Sequence, residues 1–194
     1  RRLVEEHHLD CVEQGYLLLP MAMQQVGQGD GAAAHPAFVR AAAIGARFGD
    51  HDLTSMALLG QGRALIVQGE TQRGVPLLDE AMVAVTAGEV SPIFSGVIYC
   101  SVIDACHGIF DLRRAQEWTT ALDQWCASQP DLVPYRGNCI VRRAEILQLH
   151  GAWPDALEEA RRARDILSQP SAQPGLGAAF YRLSELNRLR GELD

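Results

Sequence analysis

Turn-forming pairs recur along this chain at an almost constant interval, and no other feature of the sequence narrows the possible folds as far. They stand at Gly29-Asp30, Gly69-Glu70, Phe110-Asp111, Gly151-Ala152 and Gly191-Glu192, so their first residues are 40, 41, 41 and 40 positions apart. A fixed period of roughly 20–50 residues marks a repeat architecture, in which each unit buries its apolar face only against its neighbours.

The residues around each turn keep the same frame. Five positions after the first turn residue stand Ala34, Gly74, Ala115 and Ala156, and twelve after it Ala41, Ala81, Leu122 and Ala163. Seven before it stand Ala22, Gly62, Ile103, Ala144 and Ser184. Small side chains let two helices approach to the short end of the usual interaxial distance, about 8–10 Å, so each repeat reads as a helical hairpin crossing at Ala or Gly. Further Gly- and Pro-containing segments at 49–52, 88–92, 129–134 and 168–174 separate one hairpin from the next, because both residues stop helices and the accompanying Asp or Ser caps the next one. The predicted helices are 11–28, 31–48, 52–68, 71–87, 92–109, 112–128, 135–150, 153–168 and 175–190. Pro20 is expected to kink the first helix or delay its start. The expectation is a single helical-repeat domain over 1–194, with hairpins at 11–48, 52–87, 92–128 and 135–168, a partial one at 175–194, and residues 1–8 ending a preceding helix.

Composition agrees. The 194 residues include 26 Ala and 23 Leu, whereas Val, Ile and Thr together number 27, which favours helix over sheet. All 17 basic residues are Arg, and against 24 acidic residues they leave a net charge of −7. A chain of that sign repels phosphate backbones, and the clusters at Arg113-Arg114, Arg142-Arg143 and Arg161-Arg162 alternate with acids as solvated helix faces do. Direct nucleic-acid binding is therefore not expected. The most apolar stretch, Ile93 to Ile103, is too short to span a bilayer. No signal-peptide pattern opens the chain, so a cytoplasmic location is expected. Five Cys, at 11, 100, 106, 126 and 139, lack the spacing of a zinc or redox motif, so they read as buried thiols.

The segment Gly151-Ala152-Trp153-Pro154-Asp155-Ala156-Leu157, with the small residues at Ala22, Gly62, Ala144 and Ser184 and at Ala34, Gly74, Ala115 and Ala156, resembles the tetratricopeptide repeat family. The period of 40–41 residues and the large Ile103 and Leu122 depart from that family's pattern. The resemblance implies an all-α, right-handed α-solenoid whose first helices line a concave binding face. A narrower resemblance covers Gly88 to Gly151. Its Glu89-Val90-Ser91-Pro92, Phe110-Asp111-Leu112-Arg113-Arg114-Ala115, Gln129-Pro130-Asp131-Leu132 and Glu145-Ile146-Leu147-Gln148-Leu149-His150 are similar to the helical-repeat region of bacterial LuxR-type transcriptional regulators. That likeness implies a sensor or interaction module of a longer protein, whose separate helix-turn-helix domain binds DNA.

Catalytic chemistry finds little support in the residues. Without Lys there is neither a Schiff-base nucleophile nor a Walker-type phosphate loop. His7 and Cys11 are four apart, but they lack an established ligand spacing and Asp10 is expected to cap the following helix. Adjacent acids such as Glu158-Glu159 point in different directions on a helix. No enzyme activity, cofactor or metal is expected. Trp118 and Trp125, seven apart, are expected to face an adjacent repeat as core, with Tyr99, Phe180 and Trp153 also structural.

Binding is expected on the first helices. Six residues before each turn stand Met23, Arg63, Asp104, Glu145 and Glu185, and three before it Val26, Ile66, His107, Gln148 and Arg188. From these lanes Arg63, Asp104, His107, Glu145, Gln148 and Glu185, with Tyr181, form the expected concave-face site. Its partner is a protein or peptide, another domain of the same protein, or a second copy forming a homodimer. A small-molecule effector, held in a cavity near Tyr99, His107 and Tyr181, is the alternative.

Overall fold

The computed structural model describes residues 10–128, 133–168 and 175–192, with the side chains of 133–139 left aside. The expected helix end at 1–8, and His7 with it, lie outside the described residues.

Nine α-helices and no strand occur among the described residues: α1 (Glu13–Gly27), α2 (Gly31–Phe48), α3 (His51–Val67), α4 (Thr71–Thr86), α5 (Pro92–Gly108), α6 (Leu112–Ser128), α7 (Val133–Leu149), α8 (Trp153–Leu167) and α9 (Leu176–Arg190). Each predicted helix is present, with ends displaced by at most two residues. α1 runs through Pro20 and begins at Glu13. The helices gather into two compact units, residues 1–105 and 106–194.

The turns that set the period share one conformation. Gly29, Gly69, Gly151 and Gly191 have φ of 87°, 83°, 78° and 74°, the left-handed values that glycine adopts without a Cβ penalty. Phe110 takes the same role at φ 60°, the one non-glycine with positive φ among the described residues, and it is 84% exposed. Entry to the next helix is fixed by side chains. Asp30 accepts a hydrogen bond from the Ala33 amide at 3.0 Å, and Asp50 accepts one from the Leu53 amide at 2.8 Å. Asp50 also accepts the Tyr16 hydroxyl at 2.9 Å, tying α1 to the start of α3. Burial first, then the Asp50 carboxylate, pushes the Tyr16 hydroxyl pKa far above its ordinary value. The expected cap at Asp10 is not made: Asp10 pairs with Arg47, and Val12 occupies the N-cap position without a side-chain bond.

In the first unit α1 packs on α2, α2 on α3 and α3 on α4, while α1 also touches α3. In the second unit α6 packs on α7, α7 on α8 and α8 on α9, with α7 also touching α9. Besides their neighbours in sequence, the first helices α1 and α3, and α7 and α9, thus meet each other, as repeat stacking requires. The second helices present one buried lane each: Ala34, Phe38 and Ala41 in α2; Gly74, Leu78 and Ala81 in α4; Ala115, Thr119 and Leu122 in α6; Ala156, Ala160 and Ala163 in α8. Where both positions are glycine, the crossing leaves no room for a side chain. A Cβ on Gly62 would lie 2.8 Å from the Gly74 carbonyl oxygen, and a Cβ on Gly74 2.6 Å from the Gly62 carbonyl oxygen.

Two expectations about aromatic residues need correction. Trp118 and Trp125 are half-buried, because the face that α6 buries runs through Ala115, Thr119, Leu122 and Cys126, and the two indoles flank it. Phe180 is 53% exposed, since α9 buries only Ala179, Leu183 and Leu186. Ser184, expected at a helix crossing, is exposed for the same reason. Tyr99, by contrast, is buried. Cys106 and Cys126 are buried thiols and Cys11 and Cys100 half-buried ones, while the side chain of Cys139 is outside the description.

Candidate binding face of the first helices

The predicted residues fall into both units. In the first, Arg63 on α3 is half-buried and Asp104 on α5 is exposed. In the second, three first helices contribute His107 from the end of α5, Glu145 and Gln148 from α7, and Tyr181 and Glu185 from α9.

The second unit draws most of its predicted residues together around Glu145. Its carboxylate lies 2.9 Å from Arg182 Nη2 of α9, 3.0 Å from Arg142 Nη1 one turn earlier on α7, and 4.0 Å from His107 Nδ1 of α5. Gln148 Oε1 accepts the other Arg182 nitrogen, Nη1, at 3.1 Å. Glu145 and Gln148 thus hold one guanidinium between them, a two-point recognition that arginine's planar fork suits. The side chains of Glu145, Arg182 and His107 keep only 20%, 16% and 13% of their exposure, so the pairs are weakly screened. Burial alone raises the Glu145 pKa. The charge of Arg182 outweighs it together with the Arg142 hydrogen bond and the nearby His107 and Arg142 charges, leaving the carboxyl below its ordinary value.

Glu185 repeats the position of Glu145 forty residues on, but is more exposed and pairs with Arg188 of its own helix at 3.0 Å. That hydrogen bond lowers its pKa. Tyr181 is 59% exposed, and its ring lies 5.7 Å from the Arg182 guanidinium carbon, within cation–π range.

Periodicity alone placed Glu145, Gln148, His107 and Glu185 but missed the two arginines that complete the network. The signal was there: Arg142 and Arg182 both stand nine residues before a turn, a lane whose other members are Pro20, Gly60 and Ser101. Recognising it required knowing that α7 and α9 are close enough for a guanidinium to bridge them.

A separate cavity of about 270 Å³ opens in the second unit between α6 and α7, bordered by Gln116, Thr119, Thr120, Asp123, Arg143, Ile146 and Leu147. Arg143 spans its polar side, 3.2 Å from Asp123 and 3.6 Å from Glu159. Among the described residues no three His, Cys, Asp or Glu side chains are grouped to hold a metal ion. No described helix is long and apolar enough to cross a membrane.

The hairpin architecture places the chain in the all-α, α-solenoid class of tetratricopeptide-like repeats. It is similar to a crystal structure of a Podosopora anserina putative kinesin light chain with nearly identical TPR-like repeats, at a TM-score of 0.69 and 19% identity over 95% of this chain and 90% of that one. A single-substitution variant of that protein matches at a TM-score of 0.67 and 19% identity, over 92% of this chain and 87% of the other. Comparison with family models finds no match, and neither does comparison with curated protein sequences.

Proposed function

We propose that this chain is a non-enzymatic protein-interaction module that receives a protein or peptide on its first-helix face. One observation carries the reading: an exposed tyrosine, Tyr181, stands beside an arginine whose position is fixed by Glu145 and Gln148. Tyr and Arg are among the residue types that dominate binding energy at protein interfaces, and a side chain already held in place loses less entropy on binding. Repeat arrays of this class use the surfaces formed by successive first helices for recognition. In this reading Glu145 acts indirectly, by positioning Arg182, while Arg63, Asp104, Tyr181 and Glu185 meet the partner in their respective units.

The finer setting is a sensor or interaction region of a bacterial LuxR-type regulator, as the segment Gly88 to Gly151 implies. An effector-binding role has the α6–α7 cavity in its favour, but that cavity is smaller than the roughly 300–1,000 Å³ of ordinary ligand pockets. The surroundings of Tyr181 are open instead.

The test is to incorporate a photo-crosslinking phenylalanine at position 181 in the source cell, identify the captured protein, and measure its affinity for the purified chain. Tyr181→Ala is expected to weaken binding at least tenfold, with a smaller loss for Glu185→Arg. Unchanged affinity in both variants would refute the assignment of this face.

A further inference from the structure

One residue of the second unit differs from its equivalents in two ways at once. Four of the five hairpin turns place glycine at the left-handed position, whereas the turn between α5 and α6 places Phe110 there at φ 60°. A residue with a Cβ is strained at that φ, and this one also leaves 84% of its surface in water. Neither the turn nor the core explains a phenylalanine at this position. Backbone strain of this kind clusters at functional sites, and aromatic rings are enriched at protein interfaces.

The same unit holds a space that such a ring fits. The cavity between α6 and α7, about 270 Å³, is smaller than an ordinary ligand pocket but larger than the roughly 150 Å³ that accommodates a benzene ring in a protein interior. Ile146, Leu147 and Thr119 line it, and Ile146 and Thr119 are buried. The hydroxyls of Thr119 and Thr120 donate to the carbonyls of Ala115 and Gln116 on their own helix, and Arg143 is paired with Asp123. With these polar groups already engaged, the cavity suits an apolar side chain better than a polar ligand.

We infer that Phe110 enters the α6–α7 cavity of a second copy of this chain, which returns the contact to form a two-fold dimer. Self-complementarity along α6 supports that occupant. Arg113, Gln116, Glu117 and Thr120 are all exposed and stand three or four residues apart, on one face of the helix. When two α6 helices lie antiparallel on that face, Phe110 reaches Thr120 at the cavity of the other copy, and Arg113 meets the other copy's Glu117. Both pairs are centred on position 115, so a single register makes both. Arg113 and Glu117 form an exposed pair 2.7 Å apart within one helix, and in the dimer each also faces an opposite charge across the two-fold axis. Arg143 at the cavity supplies a cation for the incoming ring. Neither Tyr181 nor Glu185 takes part, so dimerisation can fail while the partner-binding reading stands, and the reverse.

Sedimentation equilibrium of the whole chain between about 1 and 200 μM tests this. A reversible monomer–dimer equilibrium is expected. Phe110→Gly restores the residue of the other four turns, and Thr120→Arg sets a long side chain across the cavity beside Asp123. Each should weaken the dimer about tenfold or more. A mixture of the two variants should associate more tightly than either alone, because the mixed dimer regains one intact contact between Phe110 and the cavity. Arg113→Glu should weaken the dimer too, and adding Glu117→Arg to the same chain should restore it. A chain that stays monomeric throughout, a dimer that survives both Phe110→Gly and Thr120→Arg, or a mixture that associates no better than its components would overturn the inference. Phe110→Gly relieves strain and Thr120 is exposed, so both variants keep the fold, and circular-dichroism melts in dilute solution check this.

Discussion

Replacing Gly74 by Ala puts the hairpin crossing under direct strain. The new Cβ would lie 2.6 Å from the Gly62 carbonyl oxygen and 2.8 Å from Ile66 Cγ1. The first contact is with backbone, so rotamer adjustment cannot relieve it and the helices must separate by several tenths of an ångström. Overpacking of this kind costs about 1–3 kcal/mol. The gain in helix propensity on removing an interior glycine, about 1 kcal/mol, offsets part of it. Because the obstacle is backbone, the overpacking falls in the upper part of that range, about 2–3 kcal/mol, so a net destabilisation of about 1–2 kcal/mol is expected, which lowers the midpoint of a cooperative unit of about 100 residues by roughly 5–15 °C. Gly27→Ala is the control, because a Cβ there meets nothing within 4 Å. Thermal and urea melts followed at 222 nm compare the two. If Gly74→Ala leaves stability unchanged or raises it as the control does, close approach at Gly62 and Gly74 does not define the repeat.

Glu145→Gln is expected to destabilise the chain by about 1–3 kcal/mol at pH 7, less than the loss of one partner from a fully buried pair because both groups retain some solvent contact. The carboxyl pKa lies below its ordinary value in the folded state, so its contribution is present above the unfolded pKa and lost as pH falls through the folded one. Melts between pH 7 and pH 3 should therefore fall less steeply in the variant, with the depressed Asp111 and Glu185 leaving a residual slope. Phe110→Gly should stabilise by about 0.5–1 kcal/mol by removing a left-handed non-glycine residue; a loss in a urea titration would mean that the ring makes a stabilising contact. Asp50→Ala removes both the α3 cap and the acceptor for Tyr16. It should cost about 1–2 kcal/mol in a denaturant titration, and more than Asp30→Ala, whose Asp serves only as a cap among its described hydrogen bonds.

The hairpins were legible because turn residues and small crossing residues obey local rules. Gly29, Gly69, Gly151 and Gly191 had to be turns, and Ala34, Gly74, Ala115 and Ala156 had to sit where helices meet. Helix ends shifted by a residue or two, since a side-chain cap such as Asp50 is decided locally whereas α1 starts without one. Facing was harder to read. Trp118 and Trp125 share a stripe, but only tertiary packing fixes which neighbouring stripe becomes core, and on α6 it is the one through Leu122. Phe180 and Ser184 looked structural because their equivalents are, yet burial depends on a second helix opposite them. The polar network was half legible, with Glu145 and Gln148 found by lane and Arg182 missed, because a bridge between helices is a distance in space that no single-helix periodicity encodes.

The Gly62–Gly74 crossing also bears on how the chain acquires its structure. Those two residues are only twelve positions apart in the sequence, so little chain entropy is lost in bringing them together. Contacts of such short sequence separation favour rapid folding. Each described hairpin can begin to form as soon as its own two helices exist, and neighbours then consolidate it. The residues that hold the crossing closed are thereby also the ones expected to set the rate at which it closes.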